Sequence, residues 1–178
     1  KFRFCKTDRA WLRDSFPIFV KNDKNKKILI NWKFNSWAKY KNFKKDNNII
    51  FKIKKILKYR AISPIFYKKK VVLEGGAIDV NGKGVLITTE ECLLSKVQQR
   101  NPGLKKKDYE KIFLNYLGAK KIIWLKKGIV GDDTHGHIDD LARFVSENKI
   151  FLACERNKKD SNYKTLKNNF EIIKKTNT

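Results

Sequence analysis

Three times along this chain a pair of short apolar runs brackets a polar turn, and an amphipathic stretch follows. Residues 15–20 and 27–32 flank a Lys/Asn/Asp turn, residues 76–80 and 84–88 flank Asn81-Gly82, and residues 142–145 and 149–153 flank 146–148. Each pair reads as a β-hairpin, and Asn-Gly is the strongest two-residue hairpin signal. The turns recur about every 60 residues, which marks a repeated supersecondary unit. Helical spacing follows each hairpin. It runs through Ile49, Ile53, Ile56 and Leu57 within 48–59, through Tyr109, Ile112, Phe113 and Tyr116 within 107–117, and through Tyr163, Leu166, Phe170 and Ile173 within 162–174. Three- and four-residue intervals predict one buried face per helix. The first two helices lead into further apolar strands at 71–73 and 122–125. The unit is therefore strand, strand, helix, strand. One such unit cannot bury its own sheet, so neighbours must close around something. The expected fold class is α/β, with the units set radially.

The third unit runs out at Thr178 before its last strand, and the chain opens on Lys1 with no methionine anywhere. Nothing near Lys1 resembles a signal cleavage site. Both ends predict a fragment of a longer protein. Its 178 residues suffice for one domain with a real core.

The formal charge is +24, from 42 Lys plus Arg against 18 Asp plus Glu. Such an excess raises nucleic acid or an anionic membrane as partner. Only seven of the basic residues are Arg, and the lysines are spread along the whole chain beside abundant Asn and Ile. Nucleic-acid sites prefer Arg where planar, bidentate contacts matter. The lysine coat therefore reads as coding bias and argues against a nucleic-acid partner. No apolar run approaches the ~18 residues of a membrane span, so no membrane partner is expected. Cys5, Cys92 and Cys154 are odd in number, widely spaced and without a C-x-x-C pair, which argues against a disulfide framework or a zinc knuckle. A soluble, cytoplasmic protein is expected, with room for a homo-oligomer.

Acidic residues collect near strand ends, in Trp11-Leu-Arg-Asp14, in Leu73-Glu-Gly-Gly76 and in Gly131-Asp-Asp-Thr-His-Gly-His-Ile-Asp-Asp140. The last stretch holds both histidines of the chain, His135 and His137. Charged side chains rarely bury unless paired, so this density points to a polar pocket. Alone, each element has a plain explanation. Asp14 beside Arg13 reads as a surface ion pair, Glu74 as a turn residue, His137 as a satisfied structural histidine and Trp11 as core. Their joint placement at strand boundaries favours function. In extended backbone His137 and Asp139 point to the same side, and a His with carboxylates can hold a cation and move protons.

A metal reading competes. His135, His137 and Asp139 resemble the HxHxDH signature of metallo-β-lactamase-fold hydrolases, but Asp140 stands where the last His belongs, and the chain holds no further His. Catalytic zinc asks for about three firm protein ligands. No metal is expected.

Taken in order, Trp11-Leu-Arg-Asp14, Ile30-Asn-Trp-Lys-Phe-Asn-Ser-Trp37, Leu73-Glu-Gly-Gly76, Leu86-Ile-Thr-Thr-Glu-Glu-Cys-Leu-Leu94, Asn101-Pro102 and the Gly131–Asp139 loop resemble the agmatine deiminase family, within the bacterial peptidylarginine deiminase-like enzymes. The resemblance implies the pentein fold, a five-bladed α/β propeller. Residues 1–178 would be the central portion of a single catalytic domain, without its N-terminal part and without the nucleophile segment near its C-terminus.

It further implies cofactor-free hydrolysis of agmatine to N-carbamoylputrescine and ammonia. In that scheme Asp14 and Asp139 grip the guanidinium. His137 protonates the leaving ammonia and then activates water. Glu74 supports the guanidinium and His137, and Trp11 walls the pocket. Asp133, where the family usually has Glu, pairs with the substrate ammonium. The family nucleophile is the cysteine of a Cys-Gly-Gly-Gly segment that does not occur in this chain; Cys5, Cys92 and Cys154 do not match it. The chain alone is therefore expected to be inactive. His135 receives no role.

Phe16 and Ala38 replace residues that are commonly Gly in the family, leaving the loop geometry there open. Peptidylarginine or arginine deimination is the neighbouring alternative. No Arg falls within 132–139, which favours an amine substrate over one bearing a carboxylate. A non-catalytic, basic pentein-like binding protein is the alternative of another class.

Overall fold

The hairpin, helix and parallel strand that the sequence repeats are built twice, once in each of two compact units, Lys1–Gly75 and Gly76–Thr178. The computed structural model describes residues 2 and 4–176.

In the first unit, the one-turn helix α1 (Leu12–Ser15) precedes strands β1 (Ile18–Lys21) and β2 (Lys27–Ile30). These two pair antiparallel, with Ile18 opposite Ile30. The turn is closed by Asn22. Its side-chain oxygen accepts from Lys24 N–H at 3.1 Å and Lys26 N–H at 2.8 Å, while its own N–H donates to Lys26 O at 3.0 Å. Helices α2 (Lys44–Asn47) and α3 (Ile49–Leu57) lead to β3 (Arg60–Ile62), which lies parallel to β2. Only the first turn of α3 is buried, through Ile49 and Ile50. Ile56 and Leu57, expected on the buried face, are 38% and 36% exposed, because the helix docks by its N-terminal end.

The strand expected at 71–73 is reduced to a single parallel bridge between Val72 and Lys33. The backbone explains why. Asn31 N–H donates to Ile62 O at 2.8 Å, Lys33 N–H to Val71 O at 3.0 Å and Leu73 N–H to Lys33 O at 3.2 Å. One parallel edge thus begins at β3 and resumes at 71–73. The residues between leave it and form the small hairpin β4 (Ile65–Phe66) and β5 (Lys69–Lys70). The first unit's core gathers Leu29, Ile30, Trp32, Phe34, Val71 and Leu73.

The second unit opens with β6 (Asp79–Val80) and β7 (Val85–Thr89), antiparallel, with Asp79 opposite Ile87. Its turn differs from the two-residue Asn-Gly turn that the sequence predicts. Asn81 Oδ1 accepts from Lys83 N–H at 2.8 Å and Val85 N–H at 3.0 Å, and Asn81 N–H donates to Val85 O at 3.1 Å. This repeats the bonding of Asn22 residue for residue. Helices α4 (Glu90–Leu94) and α5 (Lys106–Leu117) follow, then β8 (Lys121–Leu125), parallel to β7 with Ile87 opposite Ile123. Tyr109, Ile112 and Phe113 of α5 are fully buried, as their spacing predicts.

Strands β9 (Ala142–Ser146) and β10 (Lys149–Leu152) form the third hairpin, and α6 (Tyr163–Lys175) follows. Ile87, Ile123, Leu125, Ile138, Leu141, Ala142 and Leu166 pack into one apolar cluster. On α6 the buried position next to Leu166 is taken by Asn169, while Phe170, expected inside, is 45% exposed. Asn169 accepts from Lys126 N–H at 3.1 Å and donates to Lys127 O at 2.8 Å. The helix is turned so that this amide can satisfy the backbone leaving β8, which would otherwise lack partners in a buried place. Among the described residues, no helix is long and apolar enough to cross a membrane.

Candidate active site

In the first unit, Asp14 sits on α1 with only 7% of its surface exposed. The indole N–H of Trp37 donates to its Oδ2 at 3.0 Å. Trp37 arrives there through an unusual turn: Ser36, Trp37 and Ala38 all have left-handed backbones, with φ of 56°, 58° and 53°. Each L-residue in that region costs roughly 1–2 kcal/mol, so the turn persists only because its surroundings over-determine it. Asn35 Oδ1 accepts from Ala38 N–H at 2.9 Å. Asn47 holds both backbone groups of Phe34, at 3.1 and 2.7 Å. The Trp37 ring stands edge-on to Phe34 and Tyr40.

Glu74 is fully buried. The chain segments bearing Glu74 and Asp14 meet at Gly75, where a Cβ would lie 2.1 Å from Arg13 O. No side chain fits there, which is the physical reason for a glycine after Glu74. Trp11 is 63% exposed; it is not core, and its ring stands open to solvent.

In the second unit the 131–140 loop is built on an internal scaffold. Asp132 accepts from Thr134 N–H and hydroxyl at 2.7 and 2.6 Å, from Gly136 N–H at 2.6 Å and from His137 N–H at 3.1 Å. Thr89, the N-cap of α4, accepts from Cys92 N–H at 3.0 Å and donates to Gly136 O at 2.5 Å. Gly136, at φ 92°, has Thr89 Oγ1 and Glu91 Cβ each 3.1 Å from where its own Cβ would be. Ile138 and Asp139 N–H both donate to Gly76 O, at 3.1 and 3.2 Å.

The backbone here turns and bends, so His137 and Asp139 do not share one side of an extended segment as their two-residue spacing predicts. They come together all the same: His137 Nδ1 lies 3.7 Å from Asp139 Oδ1, with the His side chain 3% and the Asp side chain 23% exposed. Cys92 brings its sulfur within 4.8 Å of a His137 ring nitrogen. A buried imidazole with a partly open carboxylate beside it can take and return protons while the carboxylate faces a cation.

The acidic neighbours differ in their electrostatics. Burial raises the Asp132 carboxyl, but its hydrogen bonds from Thr134, Gly136 and His137 outweigh this and hold it below the ordinary value. Burial also raises Asp140, and the charges of Asp132 and Asp139 push it further up against the opposing pull of His137. Asp140 and Asp132 are thus shifted in opposite directions.

A family model described as Porphyromonas-type peptidyl-arginine deiminase matches residues 1–178. The chain belongs to that family. Among curated deiminase relatives, a Legionella pneumophila protein provisionally named agmatine deiminase is 36% identical over 166 residues, which cover 93% of this chain and 46% of that protein. One from Latilactobacillus sakei, with the same provisional name, is 40% identical over 172 residues, covering 92% and 45%. The chain spans about half the length of the curated relatives it matches.

Two solved deiminase structures superpose well. A substrate-bound cysteine-to-serine variant of C. jejuni agmatine deiminase is 33% identical with a TM-score of 0.88, over 99% of this chain and 51% of that one. The agmatine deiminase of Enterococcus faecalis is 31% identical with a TM-score of 0.85, over 94% and 46%.

Relative to the deiminase pattern, Phe16 keeps an ordinary extended backbone at φ −80°, so a glycine there is dispensable. Ala38 does not: its φ of 53° is one that glycine adopts without strain. Asp133 is exposed and its carbonyl accepts from Gln98 Nε2 at 3.2 Å. His135 is held at φ 63° with Nε2 3.1 Å from Ser95 Oγ, a loop-anchoring contact that the sequence did not reveal. An arginine does reach the loop, from outside it. Arg100 is 2% exposed and donates to the carbonyls of Gln98 and Thr134. Buried Arg is rare and needs such partners; only its burial, invisible in sequence, marks it.

Proposed function

We propose that this chain supplies the proton-transfer and cation-binding groups of a guanidine hydrolase, acting on agmatine to give N-carbamoylputrescine and ammonia. In this reading its repeats are blades of a pentein-type propeller, the central portion of one catalytic domain. Asp14 and Asp139 grip the planar guanidinium with paired hydrogen bonds, and Glu74 adds negative charge. A cysteine thiolate from sequence outside these 178 residues attacks the guanidinium carbon. His137 gives a proton to the departing ammonia, then takes one from the water that cleaves the carbon–sulfur bond. Trp11 covers the substrate, and Asp133 receives its ammonium.

The observation that carries the proposal is the buried His137 with Asp139 at 3.7 Å, the first held by Asp132 and the second by Gly76 O. For an amine substrate the state of Arg100 matters. Its guanidinium is engaged by loop carbonyls and nearly inaccessible, which supports a substrate without a carboxylate. The test is a panel of agmatine, free arginine and a blocked arginyl peptide with the full-length protein. The proposal expects ammonia from agmatine with kcat/KM at least about tenfold above the others. Equal or better turnover of the peptide reassigns the substrate, and no turnover of any of them refutes the hydrolase.

A further inference from the structure

The geometry points to Trp37 as the positioning residue for the Asp14 carboxylate, an inference that rests on the cation-gripping role proposed for Asp14. A carboxylate that must meet a flat guanidinium has to be held in one rotational setting. An indole N–H is a donor without charge. At 3.0 Å from Oδ2, in a buried setting, it fixes the carboxylate and brings no charge of its own. The backbone shows what this requires. Ser36, Trp37 and Ala38 all occupy the left-handed region, and Trp37 is 4% exposed, gripped by Phe34 and Tyr40. A core tryptophan needs no such turn to fill space. Strain concentrated on the residue that delivers a hydrogen bond to a buried acid is the signature of a site held in a set geometry.

The test uses the full-length protein. Trp37→Phe keeps an aromatic ring there and removes the donor together with part of the indole's volume. It is expected to lower kcat/KM for agmatine about tenfold, chiefly through KM, with thermal unfolding showing the variant still folded at the assay temperature. In an Asp14→Ala background the same change is expected to add less than about twofold, because the group it serves is gone. Unchanged kinetics in Trp37→Phe, or additive losses in the pair, overturn the inference. A second measurement is independent of turnover and of whether Trp37→Phe folds. The indole N–H signal of Trp37 is expected to move upfield in Asp14→Ala, as a broken hydrogen bond requires, and an unmoved signal also overturns the inference. Absence of agmatine turnover by the wild type, with the indole signal moving as expected, would refute the hydrolase reading alone.

Discussion

At the scale of single residues, backbone geometry and local charge decide what can be replaced. Ala38 carries a left-handed φ of 53°, which costs roughly 1–2 kcal/mol that Gly would avoid, against about 0.5–1 kcal/mol of extra unfolded-state entropy. Ala38→Gly is therefore expected to stabilise by about 0.5–1 kcal/mol in urea denaturation. Gly136→Ala goes the other way: with φ 92° and neighbours 3.1 Å from the new Cβ, it is expected to cost about 1–3 kcal/mol and to shift the His137 amide signal. Asp140 offers a pH test. Its folded pKa lies above the unfolded value, so its ionisation penalises the fold at pH above the folded pKa. That penalty disappears as pH falls below the unfolded value of about 3.9. Asp140→Asn should raise Tm at pH 7 and lose that advantage on acidification. Asp132 has the opposite sign: its contribution is present at neutral pH and is lost as pH falls through its depressed folded pKa. Asp14, Glu74, His137 and Asp139 could be picked out in the sequence as candidates because ionisable groups near strand ends stand out. Trp37 and Arg100 could not, since one acts across 23 residues through a left-handed turn and the other through burial.

At the scale of elements, recurring side-chain bonds hold the repeat together. Asn22 and Asn81 close equivalent turns with the same pattern of N–H groups, so Asn→Ala at either is expected to cost a similar ~1 kcal/mol. A cost at only one of them would show that the repeat is similar in outline alone. Periodicity located α5 almost to the residue, because its buried face is continuous. It misread α6, where Asn169 sits inside and Phe170 outside; a helical wheel ranks residues by apolarity and cannot foresee an amide claimed by two backbone groups. Strand β3 went unseen because it is short, begins with Arg60 and ends two residues before Pro64, leaving too few positions to show alternation.

At the scale of the molecule, two units repeat one topology, an antiparallel hairpin followed by a helix and a parallel strand. The α/β class and the spacing of the repeats could be read from the sequence, because turns and helical faces are local. The assignment to the deiminase family rests on a family model that matches residues 1–178. The central claim is that the loop around His137 is the proton-transfer element of a guanidine hydrolase. It is tested most directly by ammonia release from agmatine, comparing the full-length protein with its His137→Ala variant at matched folding. The account predicts stoichiometric ammonia and N-carbamoylputrescine from the wild type, and a loss of at least about a hundredfold in the variant. Full activity in His137→Ala would contradict it.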